Sequence, residues 1–222
     1  ADLLNPGPES CRQIELPSPV LDNDTLAKLV EINSNDALPG FRSVHIHGLY
    51  PVAEGGAGLR KALDEVRAKV SAAIDDGVNL VILSDRESDE TYAPIPSLLL
   101  TSAVHHHLVE ERTRTRASLI IEAGDAREVH HMAALIGCGA AAVNPYMAFA
   151  TIEDMHIRGE LNGTPLEKLN ANYVKARLSG VMSPAFPDGP CMHEALFDER
   201  WLEGTGVTTL DFAKAMIDEG FH

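Results

Sequence analysis

The run VNLVIL, residues 78–83, decides the fold, because five of its six residues are apolar. A strand with almost no polar positions must be covered on both faces, as the strands of parallel sheets are. The preceding segment 56–76 carries apolar residues at helical spacing, and Gly77 is suited to end that helix. An amphipathic helix leading into a buried strand predicts an α/β fold, with a parallel sheet and helical crossovers.

The same alternation of strand and helix extends on both sides of this run. Strands are predicted at residues 41–49, 78–83, 117–122 and 140–143. Helices are predicted at residues 24–33, 56–76, 97–111, 126–136, 145–156 and 166–178. A complete eight-stranded barrel typically needs about 250 residues. Four strands therefore predict an incomplete, TIM-barrel-like sheet or a smaller doubly wound sheet.

Composition changes at both ends divide the chain into three predicted parts. Residues 1–23 contain four prolines and little periodicity, so we expect an extended lead-in or linker. Residues 24–183 carry the α/β pattern and form the predicted domain. Residues 184–222 open with Pro184, Pro187 and Pro190 and are predicted to be a separate, divergent C-terminal segment.

The charge balance narrows the classes of partner. The net charge of −15 and the pI near 5.0 argue against nucleic-acid and anionic-membrane partners, which require clustered Lys and Arg. No apolar run is long enough for a membrane span, and no signal-peptide pattern opens the sequence. Cys11, Cys138 and Cys191 share no metal-ligand spacing, so we expect free thiols in a reducing, cytoplasmic compartment.

Polar residues at the predicted strand ends form a candidate pocket, because ligands of parallel α/β sheets meet the carboxyl ends of the strands. Those residues are Asp85, Arg86, Glu122, Asp125 and Asn144. A structural explanation is available at each strand end as well. Asp85 and Arg86 are predicted mainly to cap the loop that follows them. Asp125 is predicted to cap the helix that follows it, and Asn144 to cap the helix that begins with a proline.

Histidines offer a rival metal hypothesis. His45 and His47 are two apart on a predicted strand, so both rings point to one side and could bind one metal, with His130 or His131 completing the set. The three consecutive histidines 105–107 lie on a predicted helix, where neighbours point about 100° apart and cannot converge on one ion. Adjacent His130 and His131 diverge from each other for the same reason.

Three common signatures are absent from the sequence: GxGxxG after a strand, the GxxxxGK[ST] phosphate loop and the GxSxG nucleophile elbow. The glycine-containing run 137–139 follows a predicted helix and is interpreted as its stop. The chain itself therefore shows no pattern for binding a nucleotide or flavin, and we predict no cofactor in it.

Several ordered blocks resemble one family, the central domain of the glutamate synthase large subunit. The blocks are CRQ at 11–13, LPSP at 16–19, LVILSDR at 80–86, PIPSL at 94–98, AVHHHL at 103–108, LIIEAG at 119–124, REVHH at 127–131 and AVNPY at 142–146. They cover roughly residues 10–183 in the same order and with similar spacing. The segment 184–222 does not resemble the run that follows in the family.

The resemblance implies a position between two catalytic domains. In the family, an amidotransferase domain hydrolyses glutamine to ammonia. An FMN barrel with an iron–sulfur cluster then converts 2-oxoglutarate to glutamate, so that L-glutamine and 2-oxoglutarate give two L-glutamate. The central domain is an incomplete relative of the FMN barrel without catalytic residues, and it joins the two domains and helps to shape the ammonia tunnel. FMN and the cluster would belong to the parent enzyme of ammonia assimilation.

Two other hypotheses remain open on the residues alone. One is a stand-alone metal-dependent hydrolase that uses His45 and His47. The other is a regulatory protein that binds an amino acid or 2-oxoglutarate in the strand-end pocket, against Asp85, Arg86 and Glu122.

Overall fold

The computed structural model of the protein describes residues 13–16, 18–32, 38–178, 183–184 and 197–198. The chain forms two compact units that divide between Ala150 and Thr151. The first unit contains the predicted sheet and four of the helices. None of the described helices is long and apolar enough to cross a membrane.

A four-stranded parallel sheet forms the centre of the first unit. The strands of this unit are β1 (Ser43–His47), β2 (Leu49–Pro51), β3 (Leu80–Ser84), β4 (Tyr92–Pro94), β5 (Ser118–Glu122) and β6 (Ala142–Asn144). Its helices are α1 (Asn23–Val30), α2 (Gly55–Asp75), α3 (Ser97–Glu110) and α4 (Val129–Gly137). The sheet has the order β1-β3-β5-β6, so the prediction of four parallel strands with helical crossovers is confirmed.

The strand predicted at 41–49 was wrong in one respect, because the chain leaves the sheet at Gly48. β2 pairs with β4 in a separate two-stranded antiparallel sheet instead. At Gly48 the backbone passes so close to Leu100 that an added Cβ would lie 2.3 Å from Leu100 Cδ2. A side chain at this position would require the buried Leu100 to move, and the local apolar alternation contains no sign of this contact.

The two faces of the sheet are buried by different parts of the chain. Residues at alternate positions, among them Val81, Leu83 and Leu119, are fully buried, and α2, α3 and α4 pack against the sheet. The opposite face is covered by α1 and the lead-in. Its buried cluster consists of Leu21, Leu26, Leu29, Ile32, Leu80, Ile82, Ile120 and Ala142. The continuous apolar pattern of β3 therefore reflects burial on both sides, as predicted.

Helix boundaries agree with the sequence prediction where a local signal sets them. α2 is followed by Gly77 at φ 89°, and the run 137–139 ends α4, as predicted. The predicted start of α4 at residue 126 was wrong, because Glu128 and His131 form a capping box and the helix begins at Val129. Such a box satisfies backbone N–H groups that would otherwise lack partners.

Gly139, which follows α4, lies in close contact with His105 of α3. Its φ is 107°, and an added Cβ would lie 2.2 Å from His105 Nδ1, which accepts a hydrogen bond from Arg114 Nε at 3.0 Å. We expect Gly139→Ala to lower the free energy of unfolding by about 2 kcal/mol, from backbone strain and the displaced ring. In urea unfolding, Gly56→Ala is the matched control. That helical glycine has open space around it, so its replacement should be neutral or stabilising by up to about 1 kcal/mol.

The lead-in extends the sheet beyond β6. Val20 forms a parallel bridge with Val143, the N–H of Leu21 donates to the Val143 carbonyl at 2.8 Å, and the N–H of Val143 donates to the Pro19 carbonyl at 2.8 Å. This part of the predicted 1–23 lead-in is thus extended. Residues 1–12 and 17 lie outside the described residues.

The second unit, 151–222, is described only in part. α5 (Tyr146–Ile157) begins in the first unit and ends in the second, and α6 (Leu166–Leu178) has the bounds predicted from sequence. β7 (Ser183–Pro184) pairs antiparallel with β8 (Phe197–Asp198). Apart from Pro184 and these two residues of β8, the predicted C-terminal segment 184–222 lies outside the described residues, and its boundary stays a prediction.

Candidate functional site

Glu122, at the carboxyl end of β5, is the centre of a polar cluster. Its Oε2 accepts a hydrogen bond from Ser84 Oγ at 2.6 Å and lies 3.0 Å from His45 Nε2. Its Oε1 pairs with Arg86 Nε. The carboxylate side chain is only 5% exposed. Because Ser84 is on β3 and His45 is on β1, one buried carboxylate joins three neighbouring strands.

The partners of Glu122 keep it ionised. Burial by itself would raise the pKa of this carboxyl, but the hydrogen bonds from His45, Ser84 and Arg86, with the positive charge of Arg86, outweigh burial. Together they lower the pKa from 4.5 to about 2. Since an ionised carboxylate only accepts hydrogen bonds, the Nε2 of His45 must carry the proton.

Arg86 connects this carboxylate to α5. Its guanidinium carbon lies 3.9 Å from the ring centroid of Tyr146, in a cation–π contact. Its backbone N–H donates to Ser84 Oγ at 3.1 Å. Arg86 is thus held by an ion pair on one side and an aromatic ring on another, although 42% of its side chain is exposed.

Asp85 forms the second half of the cluster, facing Tyr146 and the loop after β5. It is 6% exposed, its Oδ2 accepts from the N–H of Gly124 at 2.7 Å, and it is hydrogen-bonded to the Tyr146 hydroxyl. Burial raises the pKa of Asp85, against the opposing effect of these hydrogen bonds. Burial, together with the charge of Asp85, also raises the pKa of Tyr146 to about 12. Asp85 therefore holds the loop after β5, whereas the loop predicted for it was the one that follows it in the chain.

Asp125 and Asn144 have roles different from those predicted. Asp125 Oδ2 accepts from the N–H of Ser97 at 3.0 Å, so it caps α3 and not the helix that follows it. The Asn144 amide nitrogen donates to the Leu21 carbonyl at 2.9 Å and to Asn23 Oδ1 at 3.1 Å, so it anchors the lead-in instead of capping α5. Both corrections have the same cause. The nearest free backbone groups in space belong to segments distant in sequence.

A substitution at Asp125 can distinguish a cap on α3 from a cap on α4. Asp125→Ala should lower the free energy of unfolding by about 1 kcal/mol, the usual cost of losing an N-cap acceptor. In hydrogen exchange, the Ser97 amide should exchange faster while the amides at the start of α4 stay unchanged. Faster exchange at the start of α4 instead would contradict the assignment. Asp89→Ala is a matched control in an exposed loop, where the carboxylate accepts from the N–H groups of Thr91 and Tyr92.

The paired histidines of β1 are close together but already engaged. Their ring centroids are 4.8 Å apart, His45 donates to Glu122, and His47 Nδ1 lies 3.3 Å from the Arg86 carbonyl. Within the described parts of the chain, no group of three or more His, Cys, Asp or Glu side chains is placed to hold a metal. The described residues thus supply no third ligand for the rival metal hypothesis.

The histidines of α3 have different partners, although the rings of His105 and His106 meet edge to face with their centroids 5.4 Å apart. His105 accepts from Arg114, His107 Nε2 lies 2.8 Å from Ser71 Oγ on α2, and His106 is exposed. His131 takes part in the capping box of α4, where its Nδ1 accepts from the N–H of Arg127 at 3.1 Å. These rings have structural roles at helix ends and between helices.

A small recess lies next to the polar cluster. A recess of about 250 Å³ is lined by Arg86, Glu122 and residues in and directly after α1, namely Asn23, Leu26, Ala27, Val30 and Glu31. Pockets for small-molecule ligands usually enclose about 300–1,000 Å³. α1, which covers one face of the sheet, also forms one wall of this recess.

A larger recess of about 1410 Å³ lies at the opposite, amino end of the sheet, with Leu80, Ser118 and Ala142 in its wall. Its arginines are bonded to the protein: Arg114 donates to the carbonyls of Ala117 and Gly139, and Arg116 to Ile74 and Asp75. In parallel α/β folds the chemistry takes place at the other end of the strands. The size of this recess therefore does not identify it as the functional site.

The structure brings together three of the five predicted pocket residues, Asp85, Arg86 and Glu122. Sequence reasoning missed the part that Ser84 and Tyr146 play in the same cluster. A signal was present, since Ser84 ends a buried strand and Tyr146 follows β6 by two residues. Neither is ionised at neutral pH, however, and a search for charged strand-end residues passes over them.

Comparison with known proteins gives two kinds of match. Over 207 residues the chain is 40% identical to the glutamate synthase [NADPH] large chain of Bacillus subtilis (strain 168), covering 93% of this chain and 13% of that protein. It is 35% identical over 181 residues to the glutamate synthase [NADPH] large chain of Azospirillum brasilense, covering 82% of this chain and 12% of that protein. The chain thus spans about an eighth of the length of these relatives.

A different match is short but much closer. Over 54 residues the chain is 87% identical to the probable glycine dehydrogenase (decarboxylating) subunit 2 of Caulobacter vibrioides, covering 24% of this chain and 10% of that protein. It covers too little of either protein to show a family for the chain.

The longer matches and a match to a domain family together show the family of this chain. The family described as "Glutamate synthase central domain" matches residues 1–183, which include every residue of the polar cluster and the whole parallel sheet. The ordered blocks from LVILSDR to AVNPY fall within that range. This chain therefore belongs to the glutamate synthase central domain family.

Proposed function

We propose that this domain is a non-catalytic part of a glutamate synthase large chain. In this proposal it joins the glutamine amidotransferase domain to the FMN-containing synthase domain and helps to shape the path of ammonia between them. The parent reaction is then the conversion of L-glutamine and 2-oxoglutarate to two L-glutamate in the cytoplasm. FMN and an iron–sulfur cluster would be held by the parent outside this domain.

The observation that carries the proposal is the internal pairing of the strand-end charges. Glu122 takes hydrogen bonds from three side chains, Arg86 is held between Glu122 and Tyr146, and Asp85 is bonded to Gly124 and Tyr146. An active site needs acids, bases or cations directed at a substrate. Here these side chains are directed at one another, and the recess beside them is only about 250 Å³.

We also propose that the sheet is an incomplete, TIM-barrel-like relative of the FMN-linked oxidoreductase barrels. The strand order supports this, because each parallel strand lies beside the one before it in the chain. Barrels are built with this order, whereas doubly wound sheets reverse direction at a switch point. An experimental structure of the parent in which β1 and β6 belong to a doubly wound sheet would contradict the relationship.

The test separates catalysis from architecture in the natural polypeptide that contains this chain. Glutamate formation is measured with ammonia and 2-oxoglutarate, so that the amidotransferase step is bypassed. We expect Glu122→Gln and Tyr146→Phe to keep activity within about threefold, since a general acid or base contributes about 100- to 10,000-fold. Glu65→Gln, at an exposed acid of α2, is the matched control. A loss of 100-fold or more in folded Glu122→Gln protein would overturn the non-catalytic assignment.

The tunnel is tested by the stoichiometry with glutamine as nitrogen donor. An intact path gives two glutamates for each glutamine consumed. If the domain shapes that path, loosening the strand-end cluster with Glu122→Gln should let ammonia escape, and the ratio should fall towards one. A ratio of two in a destabilised but folded variant would argue against a part for this cluster in the tunnel.

A further inference from the structure

The two edges of the parallel sheet differ in a way that points to a binding surface. At the β6 edge the lead-in is paired through Val20 and Val143, with hydrogen bonds of 2.8 Å in both directions. At the β1 edge, no strand in the described parts of the chain is paired on the outer side. One edge is thus closed by an extended segment and the other presents backbone.

The direction of the β1 backbone groups follows from the bonds at its ends. The carbonyl of Arg42 accepts from the N–H of Leu80, and the N–H of Gly48 donates to the carbonyl of Ser84. Backbone groups alternate in direction along a strand, so Val44 and Ile46 also bond to β3. The N–H and carbonyl groups of His45 and His47 therefore point away from the sheet.

Exposure of His45 agrees with this direction. The residue as a whole is exposed, but its side chain, held by Glu122, is only 29% exposed. The main chain of His45 is therefore exposed to a larger fraction than its side chain. Exposed main chain on an edge strand is a template for pairing with another strand.

β1 also lacks the devices that keep free edges unpaired. Natural edge strands are protected by Lys, Pro, bulges or inward-pointing charges. The strand has the sequence SVHIH, with none of these residues, and its five positions pair with β3 without interruption. A persistently solvated edge would be expected to carry such protection.

We propose that the outer edge of β1 binds an extended segment of the same polypeptide that lies outside these 222 residues. The chain spans only 12–13% of the large chains it matches, so the inference rests on the proposed function, under which most of the polypeptide is available as a tethered partner. Tethering raises the effective concentration of such a segment. The lead-in at β6 is a precedent in this fold for closing an edge with a short extended segment. The inference is independent of whether the domain is catalytic.

Recognition at this edge is by main-chain hydrogen bonds. The occupant needs an unbroken run of N–H and carbonyl groups opposite His45 and His47, and therefore no proline at the paired positions. This is β-strand addition, in which side chains contribute specificity and the backbone contributes affinity. A second copy of this chain, paired through its own β1, is the competing occupant.

Hydrogen exchange of the natural polypeptide tests the proposal with a control inside the strand. The amides of Val44 and Ile46 are bonded to β3 in any case, whereas those of His45 and His47 are protected only if the edge is paired. We expect all four to exchange within about tenfold of one another. Exchange of His45 and His47 that is about 100-fold or more faster than that of Val44 and Ile46 would overturn the proposal.

A second measurement identifies the occupant. Protection that is lost on dilution, together with a mass that falls from dimer to monomer, would assign the edge to a second copy and overturn the same-polypeptide assignment. His47→Pro removes the outward N–H together with the ring, and we expect it to speed exchange of the His45 amide more than tenfold while the Leu119 amide is unchanged. His47→Ala, which removes the ring but keeps the N–H, is the matched control. Equal effects of the two variants would contradict main-chain pairing.

Discussion

Replacing Glu122 with alanine is expected to lower the free energy of unfolding by about 3 kcal/mol. The substitution leaves Arg86, His45 and Ser84 without their shared acceptor at the end of the sheet. Removing one partner of a buried ion pair costs about 3–5 kcal/mol. Water can reach the guanidinium of Arg86, so the effect falls at the lower end of that range. Urea unfolding measures it directly.

A matched acid on the surface gives the control. Glu65, on α2, forms an ion pair with Lys61 at 4.0 Å, but 55% of its side chain is exposed. Glu65→Ala should cost no more than about 0.5 kcal/mol, as exposed i,i+4 pairs do. Equal losses in the two variants would mean that Glu122 is not a structural centre of the sheet.

The same residue predicts the response of the protein to acid. The folded-state pKa of Glu122 is about 2, below its ordinary 4.5, so its contribution is complete above about pH 4.5 and is lost as the pH falls towards 2. The shift corresponds to about 3 kcal/mol, of which about 2 kcal/mol should be lost between pH 6 and pH 3. Glu122→Gln should remove this dependence.

Asp85 acts in the opposite direction and does not obscure the comparison. Its folded-state pKa is raised, so it favours the fold at low pH, and this contribution is lost as the pH rises through that pKa. Asp85 is present in both the unsubstituted protein and the Glu122→Gln variant. The difference between their free energies of unfolding as a function of pH therefore isolates Glu122. Parallel profiles would contradict the low pKa of Glu122.

Leu83→Ala should lower the free energy of unfolding by about 3–4 kcal/mol. Leu83 lies in β3, flanked by β1 and β5, and is completely buried. Its truncation removes apolar contact and leaves a cavity that rigid neighbouring strands cannot fill. The loss is measured by urea unfolding, with an unchanged slope against denaturant showing that the same surface is exposed.

Leu99→Ala provides the control for Leu83. Leu99 has the same side chain but is 41% exposed on α3, where alanine is a good helix former. We expect a cost below about 1 kcal/mol. A similarly small cost at Leu83 would show that the packing around β3 adjusts to the truncation.

Elements built from local patterns were predictable from the sequence. The VNLVIL run, the helix at 166–178 and the glycine stops after α2 and α4 depend on periodicity and on backbone preferences within a few residues. Such local signals do not depend on the tertiary contacts around them. The order of the blocks from CRQ to AVNPY likewise indicated the family that the comparisons then showed.

Pairings between distant segments were not predictable in this way. The strand predicted at 41–49 is two strands, because Gly48 lies against Leu100, about fifty residues further on. Asp125 caps α3, and Asn144 anchors the lead-in, although both sit where a local cap was expected. Short polar side chains bond to the nearest free backbone group, and folding decides which group that is.

The sequence by itself determined that this protein is an α/β domain with four parallel strands, because apolar runs and helical periodicity depend only on neighbouring residues. It also placed charged residues at the strand ends. Only the tertiary structure decided that these charges are directed at one another, since the partners of Glu122 lie on β1, on β3 and in the loop after β3. A carboxylate in a catalytic cleft and one in a structural ion pair have the same letter in the sequence. The groups within 3 Å of it distinguish them.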